Sequence, residues 1–264
     1  MSEWRFAAFE PTRLHLVAWT AQDGATVPLG EASWNGALCF PRLLSDRRQQ
    51  SLRVRAELAA SLDGHSRTAA EWCHTRGLAV AINLGMFAGD GLRHLGYLRS
   101  SGHEIEGIWR KDYRAALGLG PPQAGSPNAR WVDTDSPGAR DSLRDYAFAV
   151  QNLRIVRGDR HIVWSEQPRR WSEAALAVDG HGRVLMLFCR EALSMAELAR
   201  RLLAAPLDVR GVMHVEGGPE ASLSIHVGGL DLDLSGSYET GFREDDTNVA
   251  QWPIPTVLGV QAPH

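Results

Sequence analysis

The sequence predicts an α+β fold: mixed, mostly antiparallel sheets with a few packed helices, in a single domain over residues 1–264. Short apolar runs bounded by Gly, Pro, Asn and Asp recur along the chain, the pattern of many strands joined by turns. Only two stretches carry a convincing helix start, at Thr68 and at Ser194. The long stretch with little periodicity, residues 118–141, reads as a surface loop and not as a domain linker, and no internal repeat is present. Many strands with two helices point to α+β.

The elements follow in order. Residues 4–9 and 14–19 are expected as short strands, with Leu14, Leu16 and Val17 marking a partly buried element, and a looser stretch holds Trp34, Cys39 and Phe40. The segment 66–72 opens a helix. Thr68 at the N-cap with Glu71 three residues on makes a capping box, and Gly77 is the stop. A buried strand over 78–87 resumes at 96–98 after a loop. A strand over 147–157 comes next, then one over 174–178, which turns through Asp179-Gly180-His181-Gly182 into a strand over 184–189. Ser194, with Glu197 three residues on, starts the second helix, which ends near Ala204-Ala205-Pro206. The run 211–227 is a strand, a tight turn at Gly217-Gly218 and a second strand, with Glu216 at the lip of the first. Residues 230–234 alternate Leu and Asp as an exposed strand, 236–250 are polar loop, and 255–260 form the last strand.

Composition excludes several classes of partner. A hydrophobic content of 44% is ample for a packed core. The net charge of −3 and a pI near 6.4 argue against nucleic acid or an anionic membrane surface. No run approaches the roughly 18 apolar residues of a membrane-spanning helix. The first residues show neither a basic n-region nor an apolar h-region, so a cytoplasmic protein is expected, or an exported one where an upstream segment has been removed. Cys39, Cys73 and Cys189 are widely spaced and form no CxxC; they read as small buried hydrophobes in a reducing compartment. The nine tryptophans suit either the core or the face of a sugar. Nothing in the sequence sets an oligomeric state.

Phosphate-loop, dinucleotide and GxSxG signatures are absent. His94, His103, His181, His214 and His226 do not fall at ligand spacing, and Glu244-Asp245-Asp246 reads as a solvated acidic loop before it reads as a calcium site, so neither metal nor cofactor is expected. The useful residues are polar ones that interrupt apolar strands, because burying them without partners is costly. Asn83 shares a face with Ala81 and Gly85, which leaves room for a ligand beside the amide; the alternative is an Asn that braces a neighbouring backbone. Gln151 and Asn152 point to opposite faces, so one at most serves a given pocket. His214 and Glu216 share a face, as an acid/base couple or as a simple ion pair. The double glycine lets something approach Glu216 closely, or is merely a turn.

Taken in order, several segments resemble the phosphodiester glycosidase domain family, in its bacterial branch. They are Arg67-Thr68-Ala69-Ala70-Glu71-Trp72, Ala81-Ile82-Asn83-Leu84-Gly85-Met86-Phe87, Leu95-Gly96-Tyr97-Leu98, Phe148-Ala149-Val150-Gln151-Asn152-Leu153 and Ala174-Ala175-Leu176-Ala177-Val178-Asp179. The helix containing Glu197-Leu198-Ala199 and the run Glu216-Gly217-Gly218-Pro219-Glu220-Ala221-Ser222 complete a series spanning roughly residues 65–230. The resemblance implies hydrolysis of a sugar–phosphate bond in a small sugar-1-phosphodiester or related glycan, without a cofactor. Glu216 is then the carboxylate at the anomeric centre, as base or nucleophile, with Glu220 and His214 as its catalytic company and Asp179 a weaker candidate for the second carboxylate. Arg67 with Thr68, or else Arg93, is expected to meet the diester charge. Asn83, Gln151 and Asn152 are expected to hold hydroxyls or phosphate oxygens, and Ser222 with the amides of Gly217 and Gly218 to meet an oxyanion. Two positions depart from the family pattern. Glu216 stands where Asp is common, and Glu173 stands where an Arg often precedes the small-residue strand; the nearest arginines are Arg169 and Arg170. Two other readings stay open: a non-catalytic carbohydrate or sugar-phosphate binding module on the same fold, and a hydrolase for an ester or amide bond.

Overall fold

The computed structural model describes residues 19–21, 53–120, 129–180, 182, 184–205, 207–227 and 230–261. In chain order the strands are β1 (Trp19–Ala21), β2 (Arg53–Leu58), β3 (Leu78–Asn83), β4 (Leu98–Ser100) and β5 (His103–Glu106). Then come β6 (Ala115–Leu119), β7 (Ala129–Asp133), β8 (Phe148–Asn152), β9 (Arg154–Val156) and β10 (Trp171–Asp179). The last are β11 (Val184–Leu193), β12 (Val209–Gly217), β13 (Ser222–Val227), β14 (Leu230–Ser235) and β15 (Thr256–Gln261). The α-helices are α1 (Ala59–Leu62), α2 (Ala69–Arg76) and α3 (Met195–Ala204).

The strands form three five-stranded sheets, in the orders β1-β11-β10-β12-β9, β14-β13-β3-β15-β2 and β5-β4-β8-β6-β7. Every strand pairing among the described residues is antiparallel, which meets the α+β expectation. The three sheets enclose one core. Leu176, Met186 and Met213 from the first, Ile82, Leu223 and Leu258 from the second, and Leu98, Leu117 and Val150 from the third belong to a single buried cluster. Alternation along β10 explains how its sheet also carries a helix. Ala174, Leu176 and Val178 face this inner core, while Ala175 and Ala177 face Leu198 and Leu202 of α3. On the second sheet, Ala81 and Val257 meet Trp72 and Cys73 of α2 in the same way.

The helix signals act as expected. Thr68 Oγ1 accepts the Glu71 N–H at 3.1 Å, the Glu71 carboxylate accepts the Thr68 N–H at 2.8 Å, and Gly77 ends α2 in the left-handed region at φ 62°. Ser194 caps α3 by accepting the Glu197 N–H at 3.2 Å. Cys73 and Cys189 are buried free thiols, whereas Cys39 and the strands expected over 4–9 and 14–18 lie outside the described residues.

Three expectations change. Residues 118–141 are not a long surface loop: Ala115–Leu119 and Ala129–Asp133 pair as β6 and β7, with Leu117 opposite Trp131. The continuous apolar run at β6 is a strand buried on both faces, which shows no alternation to read. The strand over 147–157 is two strands in different sheets, β8 against β4 and β6, and β9 against β12. The strand expected over 78–87 stops at Asn83. The two strands of the run 211–227 form as expected, but the turn between them is a 3-10 turn at Gly218–Glu220 that carries the chain from the first sheet, with β12, to the second, with β13.

Thr68→Ala removes the side-chain half of the capping box. It is expected to cost about 1 kcal/mol of stability by thermal or denaturant unfolding, with any catalytic activity unchanged at a temperature where the variant is folded.

Candidate active site

The crossing from β12 to β13 brings the polar residues together. Met213 and Val215 of β12 face the inner core, so His214 and Glu216 project from the opposite face. A register shift in the pairing of β10 with β12 sets Ala174 opposite Glu216 and Ala175 opposite His214, and Glu173 lies opposite Gly217. Bulges of this kind re-aim side chains at functional ends of strands. Here Glu173, buried at 1% exposure, meets His214. His214 Nδ1 lies 2.8 and 2.9 Å from the two oxygens of Glu173, and Trp171 Nε1–H donates to Glu173 Oε2 at 2.7 Å. The Trp171 ring stands edge-on to the imidazole at 6.2 Å between centroids, and Trp164 stands edge-on to Trp171 at 5.8 Å.

Glu216 keeps some exposed surface while its carboxyl is enclosed by protein. Burial pushes its pKa up to about 8, against the opposing pull of His214 and of the Gly217 N–H, which donates to Glu216 Oε1 at 3.1 Å. Glu220 is half-buried and is also raised by burial, with the charge of Glu239 adding to the effect. For the Glu173–His214 pair, burial raises Glu173; burial is also the largest influence on His214 and works against the imidazolium, but the charge and hydrogen bond of Glu173 with the charges of Glu216 and Glu239 together move it up. Tyr113 is raised by burial, with Glu216 among the charges that contribute.

The double glycine has a specific cause. A Cβ on Gly217 would sit 2.6 Å from the Trp171 indole, and Gly218, at φ 64°, would place one 2.5 Å from the Glu239 carboxylate. What comes close to the turn is therefore the protein's own Trp171 and Glu239. The turn is braced from the second sheet. Asn83 Nδ2 donates to Glu220 O at 3.0 Å, and Asn83 Oδ1 accepts from Ser222 N at 2.7 Å and from Ser222 Oγ at 3.4 Å.

The other expected residues divide. Gln151 is spent on the backbone, donating to Arg110 O and Tyr113 O at 2.8 and 2.7 Å and accepting from Arg110 N at 2.9 Å. Asn152 donates to Leu84 O at 3.1 Å, while its Oδ1 is buried without a hydrogen-bond partner among the described residues. Both ring nitrogens of buried His94 share that condition, and burial lowers its pKa to about 4. His94 and Asn152 both crowd the place where Gly85 lacks a Cβ, at 2.5 and 2.6 Å. Arg67 pairs with Asp63, donates to His65 O at 2.7 Å and lies over the Trp72 ring, and Thr68 is the helix cap. Arg93 is exposed, 3.9 Å from Asp90. Asp179 sits at the far end of β10, opposite Val209.

Glu173, Trp171 and Glu239 are members of the cluster that sequence reasoning did not select. A Glu inside the run Trp171–Val178 was the available signal, since a strand buried along its length holds an acid only with a partner. Glu244, Asp245 and Asp246 turn to separate partners, namely the Gly241 N–H, the Thr247 N–H and Arg190. One group with metal-like reach does form among the described residues. His226, Asp231 and Asp233 of the β13–β14 hairpin place ligand atoms within 4.8 Å of one another, on a solvent-facing edge where both imidazole nitrogens already meet carboxylates.

A family model described as phosphodiester glycosidase matches residues 76–261. The chain belongs to the phosphodiester glycosidase family. It is accordingly a hydrolase of the glycosidase kind, and the match contains every member of the cluster just described. Among solved structures, the catalytic domain of zebrafish N-acetylglucosamine-1-phosphodiester α-N-acetylglucosaminidase, auto-inhibited by its pro-peptide, is similar at TM-score 0.55 and 15% identity. That similarity covers 80% of this chain and 73% of the other. A hypothetical protein from Synechocystis is similar at TM-score 0.54 and 12% identity, over 98% of this chain and 72% of the other. At these identities the two likenesses speak for the fold. No curated protein matches the sequence. No described helix of this phosphodiester glycosidase is long and apolar enough to cross a membrane.

Two outcomes test this geometry. Asn83→Asp replaces the donor to Glu220 O with a second acceptor and buries a charge, and is expected to destabilise by about 2–3 kcal/mol in denaturant unfolding. Glu216→Gln is expected to stabilise the fold, with a pH-dependent gain. The unfolded carboxyl releases its proton near its model value of 4.5, whereas the folded one holds it to about 8. Wild-type stability therefore falls relative to the variant as pH rises between those values, and the gap is constant above them.

Proposed function

We propose that this glycosidase hydrolyses the bond between a sugar anomeric carbon and the oxygen of a phosphodiester, with Glu216 at the anomeric centre. The observation that carries the reading is a carboxyl at the lip of the braced turn whose burial keeps it protonated at neutral pH. In this reading its resting form is an acid, where the sequence suggested a base or nucleophile. Glu216 donates a hydrogen bond to the bridging oxygen as the C1–O bond breaks and the bonding pair leaves with the phosphate. A phosphate monoester is a weakly basic leaving group, so little proton transfer is needed, and the larger task is stabilising an oxocarbenium-like centre. Water then adds to C1 and loses its proton. In this reading Glu220, on the same turn, receives that proton and faces the developing positive charge.

The substrate class follows from the family, and the zebrafish enzyme's name directs attention to N-acetylglucosamine-1-phosphodiesters. Arg67 is already engaged with Asp63, and Gln151 with backbone, so neither serves as a main substrate contact. Arg93 is the less committed of the two arginines.

The test is release of free sugar from a panel of sugar-1-phosphodiesters that includes UDP-N-acetylglucosamine. Wild type is expected to release sugar and Glu216→Gln to lose at least about a hundredfold in turnover while still binding the diester. For wild type, kcat/KM is expected to fall as pH rises through about 8, where Glu216 loses its proton. A rate that climbs through that range would make Glu216 a base instead. Silence from both proteins, with a melting shift on adding a diester, would favour the non-catalytic binding module.

A further inference from the structure

The phosphodiester reading requires a positive group to receive the diester anion. Several guanidiniums elsewhere are engaged with carboxylates: Arg67 with Asp63, Arg154 with Asp133 and Asp135, Arg190 with Asp246, and Arg110 with Asp112. Inside the cluster the one group that can carry positive charge is His214. Its Nδ1 is committed to Glu173, so its Nε2 has no hydrogen-bond partner among the described residues. Two donors converge on Glu173, the imidazole at 2.8 Å and the Trp171 indole at 2.7 Å, and both favour its carboxylate against the burial that raises it.

Resting on the reading above, we propose that Glu173 and His214 form a carboxylate–imidazolium unit that serves as the receptor for the diester anion. His214 Nε2–H receives the phosphodiester anion, and Glu173 is the positioning residue that charges and orients the ring. The groups facing the imidazole are Glu173 and Trp171 from β10, Glu216 from its own strand, and Glu239 from the 236–250 segment. Each of these carboxylates, where ionised, favours the imidazolium, and Glu216 holds its proton at neutral pH, which removes a negative charge from beside the incoming anion. Unlike an arginine, the unit titrates. Anion binding is present while His214 carries its second proton and is lost as pH rises past that point.

The test uses the Glu216→Gln background, which takes the neighbouring titration away and stops turnover. Binding of dimethyl phosphate and of UDP-N-acetylglucosamine is followed by calorimetry from about pH 5 to 9, and the His214 ring nitrogens are followed by NMR in the same samples. Affinity is expected to fall along the NMR titration of His214. Adding Glu173→Gln, which keeps a hydrogen-bonding partner for both donors, is expected to move that midpoint down by about one unit or more and to weaken binding near neutrality by about tenfold. Adding His214→Gln instead is expected to leave weak binding that does not vary with pH. Binding that is flat with pH in the Glu216→Gln protein, or a midpoint that Glu173→Gln leaves in place, overturns the inference. If wild type nonetheless cleaves diesters, the proposed function stands without it. Diester binding that tracks His214 in a protein whose wild type releases no sugar would instead keep the anion receptor and overturn the hydrolytic reading.

Discussion

The site depends on a single crossing of the chain between sheets. β12 ends in the first sheet at Gly217 and β13 begins in the second at Ser222, so the turn between them must be held from both sides. Asn83, the last residue of β3, holds it with one donated and two accepted hydrogen bonds. A buried amide satisfied in this way contributes through what its loss would expose, since Glu220 O and the Ser222 N–H would be left unpaired. Trp171 and Glu239 close the turn from the other side, against two glycines that leave no room for a side chain. Glu216 and Glu220 flank this braced turn, so their carboxyls are carried on rigid backbone.

The same crossing gathers charge. Glu173, His214, Glu216, Glu220 and Glu239 interact electrostatically within a strand junction that buries most of them. Ordinary folding economy works against such a cluster, because enclosing carboxylates without full compensation destabilises the native state. Only Glu173 receives strong compensation, from the imidazole and the indole. Glu216 receives one peptide N–H and answers its burial by keeping its proton. Burial raises both carboxyls, and the environment separates them by what opposes it: two converging donors at Glu173 and a single peptide N–H at Glu216.

Local signals were legible in the sequence. Both helix caps, the Asp179 hairpin into β11 and the exposed alternation of β14 follow from residue chemistry within a few positions, and the structure keeps them. Sheet membership is a long-range property, and there the reading failed. Nothing in Phe148–Asn152 and Arg154–Val156 announces that the chain changes sheet at Leu153, because both halves are equally apolar. The two strands about Gly217-Gly218 were legible for their apolar runs, but not that they lie in different sheets. Asn83 was legible as an interrupting polar residue, and its brace was one of the two roles open to it. Arg67 was expected at the diester charge, and the structure pairs it with Asp63, four residues away. Glu173 was seen as a departure from pattern, and its partner His214, forty-one positions away, could be found only through the β10–β12 register.

Glu173 acts on the key carboxyl through charge. It is buried at 1% exposure, close enough to Glu216 to interact with it electrostatically. The Glu173 charge is among those that raise Glu216, and His214 opposes it. An imidazolium paired with its own carboxylate is close to neutral seen from a distance. Glu216 therefore feels burial with little net relief and retains its proton. On this reasoning the braced turn presents Glu216 as a resting acid, with His214 supplying the positive charge beside it.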